Sequence, residues 1–189
     1  MGANALAPEL SESEMSPVFR TNGNTDPGTL EYQKFASGQF GDWRLRIDGL
    51  VISPTSYSLV ELQAMPSRTQ ITRHDGVQLS HLFKQVGLQP NARFVVFHCA
   101  DQFDGTPYYE SIDLADAFHP QTMLAYAMNG EPLSIAHGAP LRLRVERQLG
   151  YKQAKYVTRL EVVALLSGVG SGRGGYWEDE VGYDWYAGI

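Results

Sequence analysis

Residues 124–163 read LAYAMNGEPLSIAHGAPLRLRVERQLGYKQAKYVTRLEVV and contain several strand patterns separated by turn signals. The first apolar residues lead into Asn129-Gly130, a dipeptide that strongly favours a tight hairpin turn. Apolar and charged residues then alternate over 141–146, as they do in a half-buried strand, and another strand is predicted over roughly 156–163. These short strands with brief connections indicate a β-rich core.

The rest of the chain adds more strands than helices. The predicted strands are 43–49, 68–75 and 93–99, and the predicted helices are a capped turn opened by Ser58 and Glu61, a segment over 78–86, and a turn capped by Asp113. The predicted strand 68–75 runs with almost no connection into Gly76. Because no regular βαβ repeat appears, the fold class is predicted as α+β with a β-dominated core.

Length and charge limit the domain count and the partners. A chain of 189 residues with 43% hydrophobic content can bury one sizeable core, so we expect one domain. Residues 1–30 are predicted to form an irregular wrapping segment, and residues 31–189 a single domain that ends in an aromatic tail. A net charge of −6 argues against nucleic acid and anionic membranes as partners, because both select for basic surfaces.

The sequence shows no recognisable targeting pattern and a single cysteine. No apolar run approaches the length of a membrane span, and residues 1–17 lack the basic and apolar regions of a signal peptide, so a soluble, cytoplasmic protein is expected from the residues alone. The single cysteine, Cys99, excludes an internal disulfide and a multi-cysteine metal site. A lone cysteine is most often a small buried hydrophobic residue.

A dense basic segment lies between Arg142 and Arg159. It holds six basic residues against one acid, Glu146, so its charge of +5 leaves −11 for the remainder of a chain of −6. Arg142 and Arg144 lie two positions apart in a predicted strand and therefore point to the same side. Gly150 can begin a turn that brings the following lysines back towards them. This arrangement favours a bound phosphate or small oxyanion, and it also fits a solvated strand face.

Long stretches of the chain resemble one known family. Residues 124–163 resemble the signature stretch of the sulfite-oxidase-like molybdopterin-binding domain, which has an Asn-Gly turn, a His-Gly before Ala-Pro-Leu-Arg, then Gly-Tyr-Lys and a second lysine. Further matching segments are FRTNG at 19–23, PSRTQITRHD at 66–75, FHCAD at 97–101, YYESIDL at 108–114 and GYDWYAGI at 182–189. Together these segments extend over nearly the whole chain.

The resemblance implies a fold, a cofactor and a reaction. The fold is a mixed, β-rich α+β core with short helices, and the cofactor is a single molybdopterin that carries molybdenum. The reaction is oxygen-atom transfer to or from a small, sulfur-containing substrate. No catalytic residue and no metal ligand is assigned in this chain. The residues that match cofactor-contacting positions are Asn22, Cys99, His137, Arg142, Lys152, Gln153, Ala154 and Lys155.

The resemblance also implies roles and partners. Arg142, Lys152 and Lys155 are expected to grip the pterin phosphate, and Arg144 or Arg147 to attract an anionic substrate. A redox partner protein is implied, such as a cytochrome or a membrane haem subunit, together with a periplasmic location.

One departure from the family pattern concerns the metal. In the family, the strand that ends in Arg-His-Asp continues into Cys-Val-Glu-Gly-Trp, whose cysteine thiolate bonds to molybdenum. Here Asp75 is followed directly by Gly76. Cys99 can replace that thiolate only if a shortened loop brings it to the metal. Three functions therefore stay open: an oxidoreductase, a module that holds pterin or another small anion without turnover, and a cofactor-free remnant used for interaction.

Overall fold

A computed structural model describes residues 5–9, 11–14, 19–70 and 73–188. In these residues the helices are α1 (Leu30–Ser37), α2 (Leu59–Gln63), α3 (Leu79–Val86), α4 (Leu114–Ala117) and α5 (Tyr176–Glu180), with 3₁₀ turns at Glu12–Glu14, Ile135–His137 and Gly150–Lys152. The strands are β1 (Arg44–Gly49), β2 (Thr55–Ser58), β3 (Ser67–Gln70), β4 (His74–Gln78), β5 (Phe94–Phe103), β6 (Thr106–Asp113), β7 (Thr122–Met128), β8 (Glu131–Pro132), β9 (Arg142–Val145) and β10 (Val157–Val163). None of these helices has the length and apolar character needed to cross a membrane.

The first sheet has the strand order β2-β1-β10-β5-β6. β1 runs parallel to β10, with Ile47 opposite Leu160, and the other neighbouring pairs are antiparallel. Leu45 and Ile47 are fully buried while Arg44 and Arg46 are exposed, so the half-buried strand predicted from residue alternation is confirmed. The mixed sheet agrees with the predicted α+β class.

The second sheet has the order β3-β4-β7-β8, and β9 also pairs with β7. Because β4 occupies one edge of β7, β8 and β9 share its other edge. Asn129 and Gly130 connect β7 to β8 with positive φ angles of 58° and 78°, which confirms the predicted hairpin turn. This hairpin and β9 set the position of the basic segment.

The hydrophobic core joins both sheets to α3. Leu79, Leu82, Phe83 and Val86 form the buried face of that helix, which ends at Gly87 with a φ of 64°. The same core includes apolar residues of both sheets. The predicted amphipathic helix is therefore confirmed, and burial of such a side chain contributes about 1.5–3 kcal/mol.

The predicted single strand over residues 68–75 is wrong. The structure forms an antiparallel hairpin in which Ser67 lies opposite Val77 and Gln70 opposite His74, while residues 71–72 lie outside the described residues. The sequence pattern did not reveal the turn, because both arms of the hairpin are half-buried and show a similar alternation of exposed and buried residues.

The junction between Asp75 and Gly76 lies inside β4. Asp75 and Gly76 pair with β3 on one side and with Ala127 and Ala125 of β7 on the other, which leaves Tyr126 in a bulge. A Cβ atom on Gly76 would overlap the carbonyl oxygen of Leu124 and lie 2.7 Å from the Cα atom of Ala125. The chain therefore closes the gap in the family pattern with a continuous strand that is paired on both sides.

The N-terminal residues contact the core at the start of β7. The backbone N–H of Ala7 donates to the Gln121 side chain at 2.8 Å, and the Gln121 amide donates back to the Ala7 carbonyl at 3.0 Å. Helix α1, capped by the Thr29 side chain, begins at the end of the segment predicted to be irregular. The division into residues 1–30 and 31–189 stays a prediction.

We expect Gly76→Ala to lower the free energy of unfolding by about 1–3 kcal/mol, because the added methyl group overlaps the β7 backbone. Urea denaturation monitored by circular dichroism measures the change. Gly168→Ala is the matched control, because a Cβ there meets no atom within 4 Å. Equal stability of the two variants would contradict the close approach of β4 and β7.

Candidate functional site

Two cavities lie beside β9 and share a basic lining. The larger has a volume of about 400 Å³ and the smaller about 130 Å³. The side chains common to both are Asn22, Arg142, Arg144 and Lys155. The larger volume lies within the roughly 300–1,000 Å³ typical of small-molecule and cofactor sites.

Arg142 presents an unsatisfied donor to these cavities. Its Nη1 donates to the backbone carbonyl of His137 at 3.1 Å, but its Nε is buried and has no hydrogen-bond partner among the described residues. Burial, and then the charge of Arg144, lowers the pKa of Arg142 to about 10. A buried donor of this kind costs free energy until an acceptor reaches it. An anion in the cavity would supply that acceptor.

The neighbouring arginines are already neutralised. Arg144 makes a forked contact with Glu146, from Nη2 to the two carboxylate oxygens at 2.7 and 2.9 Å. Arg147 lies 3.3 Å from a carboxylate oxygen of Asp116. The expected attraction of an anionic substrate by Arg144 or Arg147 is therefore weakened, because each guanidinium has its own carboxylate partner.

Lys155 ties two loops together at the cavity wall. Its ammonium donates to the backbone carbonyls of Asn22 at 2.9 Å and Ala136 at 3.0 Å, and also to that of Asn24. Burial, and then the charge of Arg142, lowers the pKa of Lys155 to about 8. All three ammonium donors already have acceptors. The lysine thus shapes the cavity and contributes positive potential, and its hydrogen atoms are committed to the loops.

Two histidines line the smaller cavity. His137 bonds through Nδ1 to the Ser134 hydroxyl at 2.8 Å, and its Nε2 is buried with no hydrogen-bond partner in the described part of the chain. Burial, and then the charges of Arg144 and Arg142, lowers the pKa of His74 to about 2, so its imidazole is neutral. The smaller cavity therefore combines imidazole nitrogens with a buried guanidinium.

The far side of the larger cavity is aromatic. The side chains that line it there are Phe103, Tyr108, Tyr151, Trp177 and Tyr183. The rings of Trp177 and Tyr183 are stacked at a centroid distance of 5.9 Å, and those of Phe103 and Tyr108 meet edge to face at 5.6 Å. This cavity suits a ligand with a planar or apolar body and an anionic end.

Two of the predicted contact residues line neither basic cavity. Lys152 is completely buried, and its ammonium lies 2.8 Å from Glu110 and 2.5 Å from Glu178. It therefore neutralises carboxyl groups and does not face an anion, which corrects the predicted phosphate contact. Cys99 lines a separate cavity of about 420 Å³, where burial raises the pKa of its thiol well above the ordinary value.

The other predicted residues differ in whether they line the basic cavities. Asn22 lines both basic cavities, whereas Gln153 lines only the larger one. The Gln153 side-chain amide accepts from the Val145 N–H at 3.1 Å and donates to the Val145 carbonyl at 2.9 Å. Ala154 is buried, and its carbonyl accepts from Leu143 at 2.8 Å. The structure thus brings Asn22, His137, Arg142, Gln153 and Lys155 together and leaves out Cys99, Lys152 and Ala154.

Sequence reasoning did not assign Asp101 or Trp177 to a ligand cavity. Asp101 is buried, accepts from the Asn24 amide at 2.8 Å, and lies between the larger basic cavity and the cavity that contains Cys99. Burial raises the pKa of its carboxyl group. The segments FHCAD and YYESIDL contained a signal for these residues, but their meeting with Trp177 depends on the tertiary structure.

Comparison with known proteins identifies similar chains. The family described as oxidoreductase molybdopterin binding domain matches residues 70–167. The chain is 36% identical over 197 residues to YedZ1 of Azospira oryzae, which is described as a subunit of a protein-methionine-sulfoxide reductase. The alignment covers 98% of this chain and 69% of that protein. Since 197 exceeds the 189 residues here, the relative carries residues with no counterpart in this chain.

Other relatives match in part. The chain is 31% identical over 144 residues to MsrP of Ralstonia nicotianae, the catalytic subunit of a protein-methionine-sulfoxide reductase, covering 64% of this chain and 44% of that one. It is 41% identical over 92 residues to mitochondrial sulfite oxidase of Drosophila melanogaster, covering 46% and 16%. The sulfane dehydrogenase SoxCD of Paracoccus pantotrophus matches with a TM-score of 0.59 and 25% identity, covering 72% and 45%. The chain thus spans less than half of these three proteins.

We expect Lys155→Met to loosen the loop that contains Asn22 and Asn24, because buried carbonyl groups lose their charged donor. Amide hydrogen exchange in residues 19–24 should become at least about tenfold faster, corresponding to roughly 1.4 kcal/mol or more of local stability. Lys84→Met, at an exposed lysine of α3, is the control. Unchanged exchange in the Lys155 variant would show that the ammonium does not hold the loop.

Proposed function

The chain belongs to the oxidoreductase molybdopterin-binding domain family, and from that premise we propose that it holds molybdopterin for oxygen-atom transfer to or from a small oxygenated sulfur compound. The named activities of the relatives support the substrate class, since two are ascribed to protein-methionine-sulfoxide reductases and one is a sulfite oxidase. The relatives are longer than this chain, so its own substrate and activity are part of the proposal.

One observation carries the cofactor part of this proposal. Arg142 Nε and His137 Nε2 are buried next to shared cavities and have no hydrogen-bond partner in the described residues. An anionic group such as the phosphate of molybdopterin would satisfy the guanidinium and, with the appropriate tautomer, the imidazole. The pterin end of the cofactor therefore fits the residues present.

Each part of the site has a defined task in this proposal. Arg142 and His137 bind and orient the anionic end, while Lys155 holds the loop at Asn22 in place as part of the wall. The aromatic side of the larger cavity excludes water from the body of the ligand. Molybdenum held by a bound pterin supplies a two-electron centre for oxygen-atom transfer.

The metal end of the cofactor does not fit the residues in the same way. Among the described residues, no group of three or more His, Cys, Asp and Glu side chains could hold a metal ion. Cys99 lies in a different cavity, and the raised pKa of its buried thiol opposes formation of a thiolate. The junction at Asp75-Gly76 is closed by strand pairing. The described residues therefore fit the pterin end of the cofactor and not its metal end.

This closed junction favours a second candidate function, a module that holds pterin or another small anion without turnover. The third possibility named from the sequence, a cofactor-free remnant, called for a collapsed pocket, and the cavity of about 400 Å³ does not support it. For the first candidate we also propose a redox partner such as a cytochrome or a membrane haem subunit, and a periplasmic location, both on the strength of the family resemblance.

Metal and pterin contents separate the two candidates. Protein purified from a host that makes the cofactor is analysed for molybdenum by mass spectrometry and for released pterin by fluorescence. Near-equal amounts of metal and pterin are expected for the oxidoreductase, and such protein should reduce a methyl sulfoxide with a reduced viologen dye as donor. Pterin without metal supports the binding module. Protein free of pterin contradicts the oxidoreductase, and it restricts the binding module to another small anion.

Arg142→Ala should reduce the bound pterin about tenfold or more, because a charged hydrogen bond of roughly 1.5–3 kcal/mol is lost. Fluorescence of pterin released from equal amounts of folded protein gives the occupancy. Arg46→Ala removes a guanidinium with a side-chain exposure of 67% in the other sheet and should leave the pterin content unchanged. Equal occupancy in both variants would remove Arg142 from the binding site.

A further inference from the structure

Glu110, Lys152 and Glu178 form a buried charged cluster next to the larger cavity. The Lys152 ammonium lies 2.8 Å from Glu110 Oε2 and 2.5 Å from Glu178 Oε1, and the three side chains are at most 1% exposed. They come from β6, from the 3₁₀ turn Gly150–Lys152, and from α5. Two carboxyl groups thus share one ammonium in the protein interior, where an uncompensated charge is costly.

The cluster balances its charge by holding a proton. Burial, together with the nearby Glu178 carboxyl group, raises the pKa of Glu110 to about 8 against the opposing effect of Lys152. A Cβ atom on Gly175 would overlap Glu178 Oε2 and lie 2.5 Å from Glu110 Oε2, so both carboxyl groups lie close to the backbone of Gly175. Near neutral pH the carboxyl group of Glu110 is therefore protonated beside Lys152 and Glu178.

The cluster fastens a segment that forms part of the cavity. Residues 176–188, here named the closing segment, contribute Trp177 and Tyr183 to the aromatic side of the larger cavity. Glu178 lies between these two aromatic residues in the sequence. The position of that wall consequently depends on where Glu178 is held.

Other contacts help to hold the closing segment, among them the Ala187 N–H, which donates to the Gln148 side chain at 2.9 Å, and the Asp184 carbonyl, which accepts from the Tyr151 hydroxyl at 2.6 Å. Trp185 donates from Nε1 to the Ser111 hydroxyl at 2.8 Å, and the Ala187 carbonyl accepts from Leu149 at 2.8 Å. Tyr183 is 47% exposed and Tyr186 is 54% exposed. A segment with a single five-residue helix and such exposed side chains belongs to the less stable part of a fold.

We propose that Glu110, Lys152 and Glu178 act as a proton-sharing clasp that positions the aromatic wall of the cofactor cavity. With one carboxyl group protonated, the closing segment stays docked and the cavity is closed. When both carboxyl groups are ionised, the excess buried charge releases the segment and opens the cavity. Lys152 is thus a positioning residue that acts through the wall; only the identity of the enclosed ligand rests on the proposed function.

The groups that face Glu110 leave it as the pH-sensitive member. Besides Lys152 and Glu178 they include Tyr108 on the same strand, Cys99 on β5 and Tyr151 on the 3₁₀ turn. Burial raises the pKa of both tyrosines and of the cysteine. These three side chains therefore stay neutral at any pH below their ordinary pKa values. Because the pKa of Glu110 is raised on docking, the docked state is favoured at low pH and loses stability as pH rises from about 4.5 to about 8.

Limited proteolysis tests the clasp directly. Arg173 is exposed and precedes the buried Gly174, so tryptic cleavage after Arg173 reports release of the adjoining segment. Rates are normalised to cleavage of an unstructured peptide at each pH. The wild-type rate should rise at least about tenfold from pH 6 to pH 8, since loss of one proton shifts the equilibrium by up to tenfold per pH unit.

Neutral variants give the decisive comparison. Glu110→Gln keeps the shape of the side chain and removes its titration, so its cleavage should stay slow and independent of pH. Lys152→Met should be cleaved rapidly even at pH 6, because it leaves the carboxyl groups without their cation. Glu161→Gln and Lys84→Met, at sites outside the cluster, should behave like the wild type. A wild-type pH profile in Glu110→Gln would overturn the clasp, whether or not Lys152→Met folds.

Pterin release connects the clasp to the cavity. In protein loaded with pterin, release should be faster at pH 9 than at pH 6 in the wild type and equal at both in Glu110→Gln. Bound pterin that leaves the wild type at one rate at both pH values would overturn the inference. Protein that never contains pterin but shows the predicted cleavage profile would contradict the proposed function and leave the clasp supported.

Discussion

The Lys155 ammonium, bonded to backbone carbonyls of two separate loops, is the contact on which the site depends. It joins the loop at Asn22 and Asn24 to the 3₁₀ turn at Ala136, and both elements border the basic cavities. Without this contact, the carbonyl groups would need water where the cavities now lie. Arg142 is held beside it by the carbonyl of His137. The Lys155 ammonium can be buried because backbone carbonyls accept from all three of its donors.

Charge pairing then divides the basic segment into structural and available cations. Arg144 is paired with Glu146, and Lys152 lies between two carboxyl groups. Arg142 keeps a buried nitrogen without a hydrogen-bond partner in the described residues. The buried Arg142 guanidinium can therefore donate to an anionic ligand beside the ammonium of Lys155, which gives the cavity an oriented basic end.

Strand β4 is continuous at the point where the sequence departs from the family pattern. Strand pairing on both sides of Asp75 and Gly76 satisfies the backbone, and the bulge at Tyr126 absorbs the change in register. The basic cavities lie beside β9 and the loops around Lys155, whereas the departure from the family pattern lies within β4.

Local features were determined by the sequence alone. The Asn129-Gly130 hairpin, the capping box at Ser58, the amphipathic helix α3 and the shared side of Arg142 and Arg144 depend on residues a few positions apart. The partners of Lys152 and Lys155 were decided by the tertiary structure. Lys152 meets Glu110 and Glu178, and Lys155 meets the carbonyl of Asn22, partners too distant in the sequence for any local pattern to pair them. A pattern shows which groups carry charge, but burial and neighbours decide which of those charges can bind a ligand.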